Sequence, residues 1–142
     1  GNASVIEALK FYHTHAYSTI FGAVQDAAAA ALLDDSGSVR ELVALYERRR
    51  DVLVRELRGI GWNVSAPKGT FFAWFKVPGG FDSESFADFL LERAHVAVAP
   101  GKGFGSQGDA YVRVNLLNGE DRIREAAARI AATGLFEAKA FS

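Results

Sequence analysis

The sequence contains no cysteine, which excludes disulfide bonds and thiolate metal sites. It has no apolar run near the ~20 residues needed to span a bilayer, and no basic segment at its start leads into an apolar one. An excess of one charge is also lacking, since 16 Lys and Arg against 17 Asp and Glu leave a net charge of -1. This balance favours neither nucleic acid nor an anionic membrane as a partner. We therefore expect a cytoplasmic protein.

Apolar residues, in contrast, are plentiful in the sequence. Hydrophobic residues make up 49% of the 142 residues and aromatic residues 12%, which is enough for the core of one compact domain with a helical appendage. The first 33 residues predict two helices, one from about Ser4 and one that ends at Leu33. Apolar residues at helical spacing predict a long amphipathic helix over residues 38–60.

The second half of the chain changes to a period typical of strands. A helix is predicted after Asp82, with Phe86, Phe89 and Leu90 on one face, and another near the end of the chain. Four short strands are predicted: Trp62–Val64, Thr70–Val77, Val96–Val98 and Ala110–Leu116. The order predicts an α+β fold, a small mixed or antiparallel sheet with helices packed on one face.

Arg113 is the first candidate for a binding residue, because it interrupts an apolar strand. The period of two puts it on the face opposite Val112 and Val114. An arginine in such a place is costly unless it meets an anion, and its planar guanidinium can hold a carboxylate with two parallel hydrogen bonds. The alternative is a solvated edge-strand arginine tied to Glu120 or Asp121, and the pattern by itself favours this alternative.

The glycine-rich segment 101–108 invites interpretation as a phosphate-binding loop, with Lys102 reaching the anion. Such loops lead from a strand into a helix N-terminus, whereas this one leads into another strand. We therefore predict that the glycines let the loop pass close to something flat or bulky.

Two other patterns carry weaker hypotheses. Pro67–Trp74 is aromatic enough to line an apolar pocket, although ordinary core is the favoured interpretation for Phe72 and Trp74. His13 and His15 lie about 200° apart around a helix, and no third ligand is apparent. No metal site is therefore expected.

Four segments in order resemble the C-terminal part of the class I/II aminotransferases, the fold-type-I family that uses pyridoxal phosphate. They span nearly the full chain: Gly1–Leu9, Phe21–Ala28, Pro67–Phe72, and Pro100–Gly108 followed by Tyr111–Val114. Within the family, the bacterial branch acting on methionine, glutamine or aromatic amino acids is the most similar.

The resemblance implies roles for individual residues. Arg113 matches the arginine that holds the α-carboxylate of the amino-acid substrate. Gly69 and Phe71 match the strand that passes the substrate side of the pocket. The loop Tyr17–Ile20 is similar to one that approaches the cofactor phosphate of the partner subunit in the family's homodimers, which makes Thr19 a candidate cofactor-binding residue.

The resemblance also implies what the chain lacks. The family's Schiff-base lysine lies in a Ser-x-x-Lys context, and none of the lysines has it: Lys10, Lys68, Lys76, Lys102 and Lys139. That lysine is expected upstream of Gly1, so this chain holds no catalytic residue, and alone it should neither bind the cofactor nor catalyse. Residues 1–35 are then a helical remnant of the large cofactor domain of an α/β parent, and residues 36–142 its small C-terminal substrate-binding domain.

Two other functions stay open at this point. One is a lyase or decarboxylase of amino acids on the same scaffold, and the other is a freestanding α+β module that binds small carboxylates for regulation. In the aminotransferase interpretation, an amino acid and a 2-oxo acid are the substrates. Phe21, Val24 and the alanine-rich helix would be uncovered in this chain alone, which predicts self-association.

Overall fold

A computed structural model describes residues 1–16, 19–34 and 36–136 of the chain. The chain divides into two compact units, Gly1–Ser38 and Val39–Ser142. Among the described helices, none has both the length and the apolar character needed to cross a membrane.

The first unit consists of two helices, as the sequence predicts. Helix α1 spans Ala3–Ala16 and helix α2 spans Gly22–Leu33. The Asn2 side-chain oxygen accepts from the Ser4 amide (3.0 Å) and caps α1. Every residue of both helices is exposed, and the apolar residues include Leu32 at 87% exposure and Leu33 at 84%. The alanine-rich α2 thus presents apolar surface to solvent.

The second unit holds the sheet and the helices that cover it. Its elements in chain order are α3 (Ser38–Gly59, beginning at the unit boundary), β1 (Phe72–Lys76), α4 (Ser83–Phe89), β2 (Ala99–Pro100), β3 (Tyr111–Asn115) and α5 (Glu120–Ala131). A π-helical turn over Leu90–Ala94 extends α4, and two 3₁₀ turns, Gly101–Phe104 and Ser106–Gly108, connect β2 to β3.

The three strands form one antiparallel sheet in the order β1-β3-β2. Strand β3 therefore lies in the middle, where Arg113 pairs with Trp74 on one side and with Ala99 on the other. The predicted α+β class with a small antiparallel sheet is confirmed.

Two of the predicted strands are wrong: one segment is not a strand, and the other strand lies at different residues. Trp62–Val64 is not a strand, because side chains rather than a neighbouring strand bond this segment: Trp62 Nε1 donates to Lys76 O (3.0 Å) and Arg58 Nε donates to Val64 O (2.9 Å). The strand predicted at Val96–Val98 lies at Ala99–Pro100 instead. The Val96 amide donates to Leu90 O (3.1 Å), so this residue still bonds to the preceding helical turn.

The hydrophobic core lies on one face of the sheet, under the three helices. The face that β1 and β3 turn inward carries Ala73, Phe75 and Val112, each at most 1% exposed. They meet apolar side chains from the helices, among them Leu53 and Leu57 of α3, Phe86 of α4 and Ile123, Ala127 and Ile130 of α5. Burying one large apolar side chain contributes ~1.5–3 kcal/mol. The opposite face of the sheet carries Phe72, Trp74 and Arg113.

Candidate functional site

The guanidinium of Arg113 lies between two aromatic rings on the open face of the sheet. Its Cζ atom is 4.1 Å from the ring centroid of Phe72 and 4.2 Å from that of Phe104. Val112 on the same strand is fully buried, so the predicted placement of Arg113 opposite the valines is confirmed. Each ring can stabilise the cation by a cation–π interaction, and the planar guanidinium still has N–H groups that can bind a ligand.

No other group in the described part of the chain pairs with Arg113. The structure gives it neither an ion pair nor a hydrogen bond to any described residue. Glu120 and Asp121, the partners of the alternative interpretation, both bond Arg124 at 3.0 Å. Strand β3 is also the central strand, so the solvated edge-strand arginine is wrong.

A pocket of about 320 Å³ opens beside Arg113. Its polar lining comes from Arg113, Arg122, Asn115 and Asn118, and the rest is apolar. Because Arg122 bonds Glu125 (2.7 Å), Arg113 is the cation in this lining without a counter-charge among the described residues. A half-buried cation without a carboxylate partner favours binding of an anion.

The aromatic residues around Arg113 correct one prediction. Phe72 and Trp74 were expected in ordinary core, but both lie on the open face, where Trp74 is 42% exposed. Trp74 contacts Phe104 edge to face at 5.3 Å between centroids. Phe104 was not foreseen as a site residue. The sequence feature that could have identified Phe104 is its position between Gly103 and Gly105, which places an apolar ring in a loop.

Gly69 and Phe71 line a second pocket, of about 270 Å³, with Tyr46 and other residues of α3. Phe71 of this pocket and Phe72 of the first lie 4.6 Å apart between ring centroids. Thr70, between them, has φ 66°, a strained value for a β-branched residue that costs ~1–3 kcal/mol. Strain of this kind is found most often where a fold holds a binding site.

The glycine-rich loop passes against a flat ring, as predicted. A Cβ atom on Gly101 would lie 2.9 Å from Trp74 Cζ3 and 2.5 Å from Tyr111 O, and closer still to Gly108 O. Lys102 does not face the pocket: its Nζ bonds Glu84, and this hydrogen bond raises the pKa of Lys102 above its ordinary value. Gly101 and Gly108 therefore serve close packing, whereas a Cβ on Gly103 would meet no heavy atom within 4 Å.

Both ends of this loop are bonded by one buried hydroxyl. Ser83, fully buried at the start of α4, donates through Oγ to Asp109 Oδ1 (2.9 Å) and accepts from the Lys102 amide (3.2 Å). Its own amide donates to Asp109 O (2.8 Å). Ser83 thus connects residues at each end of the segment that carries Phe104.

Replacing Ser83 by alanine is expected to lower the free energy of unfolding by ~1–3 kcal/mol, because the partly buried hydrogen bonds with the Lys102 amide and the Asp109 carboxylate are lost. Urea unfolding of the chain measures the change. Ser106→Ala, an exposed serine in the same loop, is the control and should stay within ~0.5 kcal/mol. Equal effects of the two substitutions would show that the buried hydroxyl does not hold the loop.

Thr19 lies in the first unit of the chain. It lines a shallow surface pocket with His13, Thr14, Ile20 and Gln25. Tyr17 and Ser18, the first half of the predicted phosphate-approaching loop, lie outside the described residues.

The two histidines of α1 do not belong to a metal-binding cluster in the described ranges, where no group of three potential ligands comes together. The ring of His15 contacts Phe11, whose carbonyl oxygen lies 2.7 Å from His15 Nδ1.

The pocket beside Arg113 does not have the side chains that pyridoxal phosphate requires. No lysine lines it that could form an imine with the aldehyde, and no carboxylate lines it that could pair with the pyridine nitrogen. Of the described lysines, Lys10 and Lys102 are bonded to glutamates and Lys68 lines the second pocket. The residues that line this pocket suit an acid, and they do not fit this cofactor.

Comparison with known proteins gives consistent matches. Residues 1–130 match the family model described as aminotransferase class I and II. The chain is 54% identical, over 98% of its length, to an L-glutamine–4-(methylsulfanyl)-2-oxobutanoate aminotransferase of Bacillus subtilis (strain 168), of which it covers 35%. It is 40% identical, over 92% of its length, to an LL-diaminopimelate aminotransferase of Moorella thermoacetica, of which it covers 33%.

A solved structure gives the same match. An aminotransferase from Staphylococcus aureus superimposes with a TM-score of 0.78 at 37% identity, over 96% of this chain and 36% of that one. The chain thus spans about a third of the length of the relatives that it matches.

Proposed function

The chain belongs to the class I and II aminotransferase family, and we propose that it is the substrate-binding C-terminal part of a longer enzyme of this family. The family uses pyridoxal phosphate. The longer enzyme would move an amino group between an amino acid and a 2-oxo acid. Residues 36–142 would form its small domain, and residues 1–35 would belong to its large cofactor domain.

The guanidinium of Arg113, which has no carboxylate partner among the described residues, is the observation that carries this proposal. It is half-buried between Phe72 and Phe104, 4.1 and 4.2 Å from their ring centroids. An α-carboxylate can accept two parallel hydrogen bonds from such a group. Amino acids and 2-oxo acids both carry this carboxylate next to the reacting carbon, so one arginine serves both substrates.

The part of the reaction that we assign to this chain is binding and orientation. Two parallel bonds fix both the position and the rotation of the carboxylate, and holding reactants in a productive geometry can lower a barrier by ~7–11 kcal/mol at its best. The aldehyde of the cofactor supplies the amino-group chemistry when it is bound. The lysine that would bind it is expected in the upstream part of the longer enzyme.

Three further residues have proposed roles. Gly69 and Phe71 would border the substrate, since the Phe71 ring contacts Phe72, which in turn contacts the guanidinium. Thr19 would approach the cofactor phosphate of a partner subunit in a homodimer. Its exposed hydroxyl supports this role.

We take the substrates to test from the relatives' names. The B. subtilis relative, at 54% identity, is named for glutamine and 4-(methylsulfanyl)-2-oxobutanoate, which we propose as the first donor and acceptor. LL-diaminopimelate, from the relative at 40% identity, is the second donor.

The experiment is a labelled transfer in the full-length enzyme with pyridoxal phosphate. Glutamine labelled with ¹⁵N at its α-amino group is incubated with 4-(methylsulfanyl)-2-oxobutanoate, and mass spectrometry follows the label. We expect ¹⁵N-methionine to form only when the acceptor is present. Ammonia release independent of acceptor would support a lyase, and carbon dioxide release a decarboxylase.

The isolated chain is the matched comparison in the same assay. We expect no transfer and no cofactor spectrum from it, because the imine lysine is missing. Tight binding of a small carboxylate by the isolated chain, with no activity in the full-length enzyme, would support the regulatory module instead.

A further inference from the structure

Phe104 differs from the other aromatic residues at the site because it reaches Arg113 from a loop. Phe72 belongs to β1, next to the strand of Arg113, and the sheet fixes its position. Phe104 ends a 3₁₀ turn, is 52% exposed, and still has its ring centroid 4.2 Å from the guanidinium carbon.

The loop holds Phe104 in this position through contacts on both sides. Ser83 bonds Lys102 and Asp109 at the loop's two ends. Gly101 packs against Trp74, and the Trp74 ring contacts the Phe104 ring edge to face. The ring therefore has a defined place over the guanidinium before any ligand binds.

We infer that Phe104 is a positioning residue, which holds the guanidinium of Arg113 in the plane that the substrate carboxylate requires. This inference rests on the proposed function, since it concerns the same site. An arginine side chain has many rotamers, and fixing it before binding lowers the cost of ordering it with the ligand. With Phe104 as a second ring beside the guanidinium, the side chain has fewer rotamers than it would have beside Phe72 alone.

The test compares Phe104→Leu with Phe104→Tyr in the full-length enzyme. Leucine keeps an apolar side chain of similar bulk but has no ring face, whereas tyrosine keeps the ring face. We expect Phe104→Leu to raise KM about tenfold for both the amino acid and the 2-oxo acid, with kcat changed less than about threefold. Phe104→Tyr should stay near the original KM.

A double-mutant cycle with Arg113→Ala separates positioning from a general structural role. Once Arg113 is alanine, Phe104→Leu should raise KM no further, because the group that it positions is gone. Tyr111→Leu is the matched control, since Tyr111 also contacts the Trp74 ring but not the guanidinium. It should leave KM within about twofold.

Three results would overturn the inference. They are an unchanged KM in Phe104→Leu, equal impairment in leucine and tyrosine variants, or the same effect of Phe104→Leu with and without Arg113. If Arg113→Ala raises KM in any of these cases, the carboxylate clamp stands and only the role of Phe104 fails. If Arg113→Ala leaves KM unchanged, both proposals fail.

Discussion

Replacing Arg113 by alanine in the full-length enzyme is expected to lower kcat/KM for amino acids about 10²- to 10³-fold. Truncating one partner of a desolvated, hydrogen-bonded charge pair costs ~2–5 kcal/mol, and each ~1.4 kcal/mol is a factor of ten. The other cation among the described residues that line this pocket is Arg122, which already bonds Glu125 (2.7 Å), so we do not expect it to take over the substrate's carboxylate. Initial rates with varied amino acid, at saturating 2-oxo acid, measure the loss.

Arg113→Lys distinguishes the shape of the guanidinium from its charge. Lysine keeps the positive charge but cannot present two parallel N–H groups to one carboxylate. Its ammonium is also a poorer fit between two flat rings. We expect an intermediate loss in kcat/KM, about tenfold, and part of it in kcat because the substrate is held less well in orientation.

Arg122 provides the control in the same pocket. It lines the cavity beside Arg113, but its side chain is 70% exposed and bonds Glu125. Arg122→Ala should change kcat/KM by less than about threefold. If Arg122→Ala and Arg113→Ala had equal effects, the pocket would act through its overall charge, and the clamp would be wrong.

The face on which Arg113 lies could be predicted from the sequence, and its contacts could not. Alternation of side chains along a strand requires Arg113 to point away from Val112 and Val114. Whether that face is covered depends on how the strands are ordered, and short-range pattern does not give the order. Pattern alone therefore favoured an edge strand, whereas β3 lies between β1 and β2.

The same limit explains the misplaced aromatic residues. Phe72 and Trp74 are apolar, and an apolar residue in a strand is more often buried than exposed. The core face of β1 is already filled by Ala73 and Phe75, so the alternate residues must lie on the other face. When a run of strand residues is apolar at every position, the sequence pattern does not show which of the two faces is buried.

Trp62–Val64 was mistaken for a strand for a related reason. Its apolar residues Trp62 and Val64 are buried, which is all that the pattern detects. The Val64 carbonyl accepts from the Arg58 side chain, and the Trp62 indole donates to the Lys76 carbonyl, so neither bond belongs to a strand ladder. A pattern of local hydrophobicity contains no information about such partners.

The exposed helices of the first unit are consistent with the predicted self-association. Leu32 and Leu33 at the end of α2 are both more than four-fifths exposed. Apolar surface of this kind is a common site of protein association. Because the chain belongs to this family, we propose that residues of the large domain cover this apolar surface in the longer enzyme.

Gly101→Ala is expected to have the largest effect on stability, ~3 kcal/mol or more. Its Cβ would overlap Gly108 O and lie 2.5 Å from Tyr111 O and 2.9 Å from Trp74 Cζ3. Two of these atoms are backbone, and Tyr111 is held in β3, so they cannot move aside as a flexible side chain could. Overpacking costs ~1–3 kcal/mol where side chains can adjust, which makes this range a lower estimate. Urea unfolding of the chain measures the loss.

Gly103→Ala is the matched control, two residues away in the same 3₁₀ turn. A Cβ there meets no heavy atom within 4 Å, so its free energy of unfolding should change by less than ~0.5 kcal/mol. Because the loop carries Phe104, Gly101→Ala should also weaken substrate binding in the full-length enzyme, while Gly103→Ala should not. If Gly101→Ala were as stable as Gly103→Ala, the loop could move away from Trp74. Close packing would then not be what requires glycine at residue 101.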